Sequence, residues 1–361
     1  MSEPSTPATP KKILIVRLGA MGDILHALPA ALMLKRNFPE AKFGWVIEKR
    51  WKELLPWSYQ GTPFPDTLHY VDTKHWRKNL TSPETRNQVL GGLKFLRDER
   101  YEVVVDFQGA IKSAVVAFAS GADRRYGFAD SWEKPASLFY AAPLRTTRKH
   151  VIERNIEMAM QVVGREHREY SGGVFTLRFD DLPADCRAEG ELQRIGISGR
   201  FAILNPGAGW GAKQWPVERF AEVARTLGSE GIRCVVNYGP GEEPLAREVE
   251  QKADGHAIAA TFTISQLIAV TRRASLFIGG DTGPMHLAAL LQVPVVAIFG
   301  PTDPERTGPY GTKSITLRDP ASVTSHKRIQ TTEAGLLNIT TEQVLQAARE
   351  LLQLSKEGVR V

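Results

Sequence analysis

Short apolar runs rich in β-branched residues recur along the chain. Each is followed by a glycine-bearing turn and then by a stretch with apolar residues at helical spacing. Ile13–Val16 leads through Gly19 and Gly22 into a helical stretch from Ile24 to Phe38. Phe43–Ile47 and Glu102–Phe107 read as further strands, the second followed by a helix after Gly109. The pattern resumes with Phe201–Leu204 and a helix from Val217, Ile232–Asn237 and a helix from Pro244, Leu276–Ile278 and a helix from Pro284, and then Val293–Phe299. Such alternation predicts parallel sheets covered on both faces. Pro29 must stand near the start of the first regular helix or kink it. Thr263 and Gln266 form a capping box that opens another helix. The last stretch, Thr341–Leu354, has apolar residues at Val344, Leu345, Ala348, Leu351 and Leu352, an amphipathic stripe that must pack on a domain surface.

From Gly164 to Arg200 the periodicity lapses, which sets a boundary near residues 165–195. It divides 361 residues into two domains of ordinary size with one architecture and no tandem sequence repeat. Residues 1–10, MSEPSTPATP, read as a disordered polar tail rather than a secretory leader. Apolar runs such as Val293–Phe299 are too short to span a bilayer. Hydrophobic residues make up 42% and charged residues 24%, proportions of a soluble globular protein. The two cysteines, Cys186 and Cys234, are 48 positions apart with no Cys-x-x-Cys. That argues against a disulfide scaffold or cysteine zinc site and suits a reducing cytosol.

The net charge of +6 is uneven. Residues 1–170 hold 26 Lys and Arg against 19 Asp and Glu, whereas residues 171–361 hold 20 against 21. The basic half suits nucleic acid, an anionic membrane face or an acidic acceptor, or is solvated surface. No helix-turn-helix, RNP motif or zinc finger is present, which argues against nucleic acid.

Ligands of open α/β sheets bind beyond the carboxyl ends of the strands, so the turns there carry the candidate chemistry. Phe277-Ile-Gly-Gly-Asp-Thr-Gly-Pro-Met-His286 reads as strand, turn and helix start. The amides of Thr282 and Gly283 lie at a helix N-terminus, which attracts anions such as phosphate. Asp281 can bind hydroxyls, and His286 follows one turn on, a set that suits a phosphorylated sugar. Asp-Thr-Gly is also an aspartic-protease triplet, but that chemistry needs two aspartates sharing a proton. No second triplet exists here, and the region alternates strand and helix.

The glycine loop Asn205-Pro-Gly-Ala-Gly-Trp-Gly-Ala-Lys-Gln-Trp215 matches the dinucleotide fingerprint only formally, because Pro216 delays the helix and the next strand ends at Asn237 rather than an acid. Lys213 there is either a solvated lysine or a cation for a diphosphate. After that next strand, Glu242 or Glu243 can accept from ribose hydroxyls. In the first half, Asp23 follows two glycines where a helix begins, as its N-cap or as a catalytic carboxylate. A nucleotide held by one domain and a lone carboxylate offered by the other describes a transferase.

Several motifs, in order over nearly the whole chain, resemble the ADP-heptose:lipopolysaccharide heptosyltransferase family. They are Lys12-Ile-Leu-Ile-Val-Arg-Leu-Gly-Ala-Met-Gly-Asp-Ile-Leu-His-Ala-Leu-Pro29, Lys213-Gln-Trp-Pro216 and Gly280-Asp-Thr-Gly-Pro-Met-His286. With Asp106-Phe-Gln-Gly-Ala-Ile-Lys-Ser113 and His150-Val-Ile-Glu-Arg-Asn155, the chain is most similar to the type I branch, which adds the first heptose to the Kdo sugars of lipid A.

The resemblance implies a GT-B α/β fold of two Rossmann-like domains facing across a cleft. Residues 11–175 would bind the acceptor and 176–340 the nucleotide-sugar, with 341–361 returning as a helix onto the first domain. It implies an inverting transfer of heptose from ADP-heptose to a Kdo sugar of Kdo-lipid A, on the cytoplasmic face of the inner membrane, with the enzyme peripherally bound. Asp23 would be the base, Lys213, Thr282 and Gly283 would hold the diphosphate, Glu242 the nucleoside, Asp281 the heptose, and His286 would stand near the donor. Lys74, Arg77, Lys78 and Lys112 are the expected acceptor contacts. No metal or other cofactor is expected, since a lysine and a helix N-terminus can neutralise the leaving group and no Asp-x-Asp pair occurs. The alternatives are a type II or protein heptosyltransferase, or a nucleotide-binding module without catalysis. The chain departs from the family pattern in the glycine-rich loop before Lys213, in the Asp130–Pro135 stretch and in the tail after Gly311.

Overall fold

A computed structural model describes residues 9–55, 57–59, 62–79, 81–164, 185–325 and 327–357. Residues 1–8 of the expected tail and 165–184 of the expected boundary lie outside the described residues. The chain divides into two compact units, Met1–Gly173 and Val174–Val361.

The strands of the first unit are β1 (Lys12–Val16), β2 (Lys42–Glu48), β3 (Trp57–Tyr59), β4 (Thr62–Phe64), β5 (Thr67–Val71), β6 (Val103–Asp106), β7 (Arg124–Phe128) and β8 (Ala142–Leu144). Its helices are α1 (Met21–Asn37), α2 (Thr73–Lys78), α3 (Pro83–Asp98), α4 (Ile111–Ala119) and α5 (Val151–Val163). The sheet order is β5-β2-β1-β6-β7-β8, every pair parallel, with β3 and β4 a separate antiparallel ribbon. In the second unit the strands are β9 (Phe201–Asn205), β10 (Arg233–Asn237), β11 (Ala257–Ala260), β12 (Leu276–Gly280), β13 (Val295–Phe299) and β14 (Ser314–Arg318). The helices are α6 (Asp185–Arg194), α7 (Val217–Ser229), α8 (Glu243–Lys252), α9 (Ile264–Arg273), α10 (Gly283–Leu290), α11 (Pro304–Thr307), α12 (Ala334–Asn338) and α13 (Thr341–Glu357). Its sheet order, β11-β10-β9-β12-β13-β14, is again wholly parallel.

Leaving out the small ribbon, each sheet runs third, second, first, fourth, fifth, sixth. That is the doubly wound order, whose crevice opens where the direction of winding reverses. The reversal falls between β1 and β6 in one unit and between β9 and β12 in the other. The central strands are buried along their whole length, as β6 (VVVD) and β13 (VVAIF) show, because helices cover both faces.

Two expectations change and one holds. Helix α1 begins at Met21, and Pro29 lies inside it, buried. The expected capping box at Thr263 and Gln266 is formed on α9. Helix α13 buries its stripe within its own, second unit. Val344, Leu345, Ala348, Leu351 and Leu352 join one core with Phe220, Leu227, Ile278 and Val296 of the second unit. Thr341 Oγ1 donates to Glu222 Oε2 at 2.8 Å, and Arg349 pairs with Glu230 at 2.5 Å, so the helix end is also tied to its own unit. Among the described residues no helix is long and apolar enough to cross a membrane.

Asp106, at the end of β6, is fully buried and shapes the turn that follows. Its Oδ1 accepts from the Gln108 N–H at 2.8 Å, and its Oδ2 accepts from the Tyr140 hydroxyl at 2.8 Å. Burial raises the Asp106 carboxyl above its ordinary value, and hydrogen bonds from Ser113, Gln108, Tyr140 and Gly109 oppose the rise in part. Tyr140 reaches Asp106 only because residue 127 is glycine, since a Cβ there would lie 2.3 Å from the tyrosine ring. Gly127→Ala should therefore lose about 1–3 kcal/mol of stability by overpacking, read as a lower urea midpoint. Gly190→Ala, on α6 where an added methyl meets nothing within 4 Å, should leave the midpoint unchanged or raise it.

Candidate active site

Beside the reversal point of the second sheet, β9 and its other neighbour β10 end on two buried asparagines. Asn237 Nδ2 donates to Asn205 Oδ1 at 2.7 Å, and Asn205 Nδ2 donates to the Gly207 carbonyl at 3.0 Å. These bonds fix where the glycine loop leaves β9. The loop delivers Lys213 on a short 3-10 turn, Gly211–Lys213, toward the end of β12. There the Lys213 ammonium donates to Asp281 Oδ2 at 2.6 Å and to the Asp281 carbonyl at 3.0 Å. His286 Nε2 lies 3.1 Å from Asp281 Oδ1. The side chains of Lys213 and Asp281 are only 11% and 9% exposed. The solvated-lysine alternative for Lys213 therefore fails: the ammonium is pinned and largely dry.

Burial alone would raise the Asp281 carboxyl. His286 and Lys213 outweigh that effect and hold it well below the usual carboxylate range. Thr282 is the N-cap of α10 and Gly283 its first residue, so the expected amide pair stands beside this carboxylate at the helix N-terminus.

Glu242 and Glu243 separate cleanly. Glu242 is the N-cap of α8, and its Oε2 accepts from the Gly239 N–H at 2.9 Å. Its carboxylate leans over the loop after β9, where a Cβ at Gly207 would lie 2.2 Å from the carboxyl carbon. Glycine at 207 is what lets the loops after β9 and β10 share that carboxylate. Glu243 is exposed and pairs with Arg247 at 3.4 Å. Lys213, Glu242, Asp281, Thr282, Gly283 and His286 thus come from the turns after β9, β10 and β12, along one rim.

In the first unit, Asp23 is the third residue of α1 rather than its N-cap, which is Ala20. Asp23 Oδ2 accepts from the Ala20 N–H at 3.0 Å, and Oδ1 pairs with Arg17 Nη2 at 2.7 Å. Arg17 is buried and also donates from Nη1 to the Phe107 carbonyl at 2.8 Å. The Leu18 N–H donates to Gln108 Oε1 at 2.9 Å. The turn after β1 is thereby tied to the turn that Asp106 shapes after β6. The Asp23 side chain remains 44% exposed to solvent.

Lys74, Arg77 and Lys78 lie on α2, after β5, and Lys112 lies on α4, after β6; all four are exposed. They follow the carboxyl ends of strands on either side of β1, and no described contact joins them to Asp23.

Sequence reasoning passed over Arg17, although it stands in the quoted motif at a strand end. It also passed over Arg50 and Trp51. A Cβ at Gly19 would lie 3.0 Å from Trp51 Nε1, and the Arg50 guanidinium sits 5.0 Å from the Trp51 ring centre. A polar groove lined by Arg97, Tyr101, Glu102, Asp123 and Arg124 opens where β6 and β7 begin, the wrong edge for these loops. Among the described residues no three His, Cys, Asp or Glu side chains are grouped to hold a metal ion.

Comparisons with known proteins bear on family and fold. Residues 92–336 match the model of glycosyltransferase family 9 (heptosyltransferase). Lipopolysaccharide heptosyltransferase 1 of Escherichia coli K12 is 28% identical over 349 residues, covering 94% of this chain and all of the relative. Lipopolysaccharide heptosyltransferase 2 of the same strain is 27% identical, with 94% and 98% covered. The solved structure of E. coli heptosyltransferase WaaC with ADP superposes with a TM-score of 0.77 at 25% identity, covering 94% of this chain and 99% of that one. The expected GT-B fold is therefore present.

The buried Lys213–Asp281 pair gives a pH test. The folded state holds Asp281 below its unfolded value of about 3.9, so its contribution is complete above that pH and falls as pH drops toward the folded value. Asp281→Asn should lose about 3 kcal/mol at pH 7 by leaving the lysine unpaired. The gap to wild type should narrow below about pH 4 in urea titrations. A gap independent of pH would refute this assignment of the acid sensitivity.

Proposed function

This chain belongs to glycosyltransferase family 9, the heptosyltransferases, and we propose that it moves heptose from ADP-heptose to a Kdo sugar of the lipopolysaccharide inner core. The observation that carries this reading is the Lys213–Asp281–His286 cluster at the reversal point of the second sheet, with Glu242 on the neighbouring turn. A cation and helix-terminal amides suit a diphosphate, a carboxylate one strand away suits a ribose, and Asp281 suits sugar hydroxyls. A further structure of WaaC, with ADP-2-deoxy-2-fluoro heptose, superposes with a TM-score of 0.74 at 25% identity. It supports a nucleotide-heptose donor here.

In the proposed reaction the acceptor hydroxyl attacks the anomeric carbon of heptose, and ADP leaves from the opposite side with inversion. Asp23 takes the hydroxyl proton. Arg17 and the Ala20 N–H hold its carboxylate in one orientation while leaving it open. Lys213 and the amides of Thr282 and Gly283 stabilise the charge gathering on the departing diphosphate. Those groups can neutralise it without a metal, and we assign no cofactor. Lys74, Arg77, Lys78 and Lys112 supply positive charge for the carboxylates and phosphates of Kdo-lipid A. The enzyme would meet that glycolipid at the cytoplasmic face of the inner membrane, bound peripherally.

Mass spectrometry of products from ADP-heptose and a panel of acceptors tests the whole reading. Addition of one heptose to Kdo-lipid A is expected. Transfer only to a heptosylated core would reassign the chain to the heptosyltransferase 2 step, and no ADP release with any acceptor would make it a binding module.

Asp23→Asn separates capping from catalysis, because asparagine can still accept from the Ala20 N–H but is not basic. Its NH2 faces Arg17, so some stability should be lost, but it should remain folded, bind ADP-heptose with near wild-type affinity and lose at least about a hundredfold in kcat. Nearly full kcat would remove Asp23 from the mechanism. Neutralising Arg77 and Lys78 together should raise the acceptor KM and flatten its salt dependence, with the nucleotide-sugar KM little altered. Equal changes in both KM values would argue against an acceptor role for α2.

A further inference from the structure

After β14 the chain does not leave the second unit's rim. It runs back over the glycine loop that carries Lys213. The Ala212 N–H donates to the Ile329 carbonyl at 3.0 Å, and the Glu333 N–H donates to the Ala212 carbonyl at 3.3 Å. The fit depends on glycine at 211, since a Cβ there would lie 1.6 Å from the Gln330 carbonyl oxygen. The overlying segment sets the Arg328 guanidinium 5.7 Å from the centre of the Trp210 ring. The Lys213 ammonium lies 4.6 Å from the same centre. One indole therefore gathers two cations, each attracted to the ring and each repelling the other.

Their charges are not equally free. Two of the three Lys213 N–H groups can bond Asp281, whose carboxylate offsets the lysine charge. Arg328 is exposed and has no carboxylate partner among the described residues. Glu333, on the same segment, accepts instead from the Ser322 hydroxyl at 3.1 Å and the Leu336 N–H at 3.1 Å. A diphosphate leaving group needs more positive charge than a lysine already matched by an aspartate provides. The unmatched cation held at the same ring is Arg328, and a guanidinium fits phosphate oxygens in two-point contact.

We infer that Arg328 is a second diphosphate-binding cation of the nucleotide-sugar site, carried there by the segment after β14 and held on Trp210. The inference rests on the ADP-heptose reading above. In it, Lys213 is anchored by Asp281 and supplies one remaining N–H, while Arg328 supplies the net charge. The arginine therefore distinguishes nucleoside diphosphates from nucleosides.

Binding of ADP, AMP and adenosine by calorimetry, with steady-state kinetics on ADP-heptose, tests this in the full chain. Arg328→Gln should weaken ADP about tenfold or more, raise the ADP-heptose KM similarly and leave adenosine affinity unchanged. Arg328→Lys should fall between, and Lys327→Gln, an exposed neighbouring cation, should match wild type. Equal weakening of ADP and adenosine would show that Arg328 only orders the loop, and unchanged ADP affinity would remove it from the site; either result overturns the inference alone. A wild-type chain that binds no ADP would overturn the ADP-heptose reading and this inference together.

Discussion

The constraint on which the rest depends is the reversal of winding in each parallel sheet. Right-handed crossovers place helices on one face for strands added in one direction and on the opposite face for strands added in the other. The two central turns therefore diverge and leave their strand ends uncovered. In the first unit those turns hold Asp23 after β1 and the Asp106–Gln108 hook after β6. In the second they hold the Lys213 loop after β9 and Asp281 after β12. Every candidate group in the second unit lies on the rim beside its reversal point, and so does Asp23 in the first.

An uncovered crevice does not by itself bring side chains together. Close approach of backbone does so, and three glycines are needed for it. Gly207 admits the Glu242 carboxylate, Gly211 admits the Gln330 carbonyl, and Gly127 admits the ring of Tyr140. Each couples turns or segments that the sheet alone would leave separate. Electrostatics then fix what the backbone has placed. The Lys213 ammonium cannot stay dry without Asp281, and Asp281 cannot stay ionised at that depth without Lys213 and His286. The buried pair is thus a rigid fixture.

Much of this was legible in the chain because local signals coincide with the candidate site. Glycine turns following β-branched runs marked β1, β9 and β12, and thereby Asp23, Lys213 and Asp281. Other features have no local signature. Glu242 and Glu243 are adjacent and chemically alike, and only the start of α8 turns one inward and the other to solvent. Asp23 could be read as an N-cap because the helical stretch was expected from Ile24, whereas α1 begins by hydrogen bonding at Met21, itself buried. The stripe of α13 announced that the helix packs but not on what, since an apolar face fits either unit. Arg328 was invisible for the same reason in stronger form. It meets Trp210 across more than a hundred residues, through an irregular segment with no period to read.

Asp23 shows how one carboxylate can serve both of the readings that the sequence left open. As the third residue of α1 it accepts from the Ala20 N–H, which satisfies a donor at the helix start. Its other oxygen meets Arg17, itself anchored on the Phe107 carbonyl. An ionised carboxylate has about four acceptor positions, so two contacts leave room for a hydroxyl, and the exposed side chain gives it access. An N-cap aspartate would turn its acceptor inward to the first helical amides. One turn position later, the helix start and the arginine fix the rotamer while the remaining lone pairs face outward. Capping and the proposed proton transfer are therefore not rivals for this residue. The capping bond is part of what would keep the base in place for a hydroxyl that has to arrive at one angle.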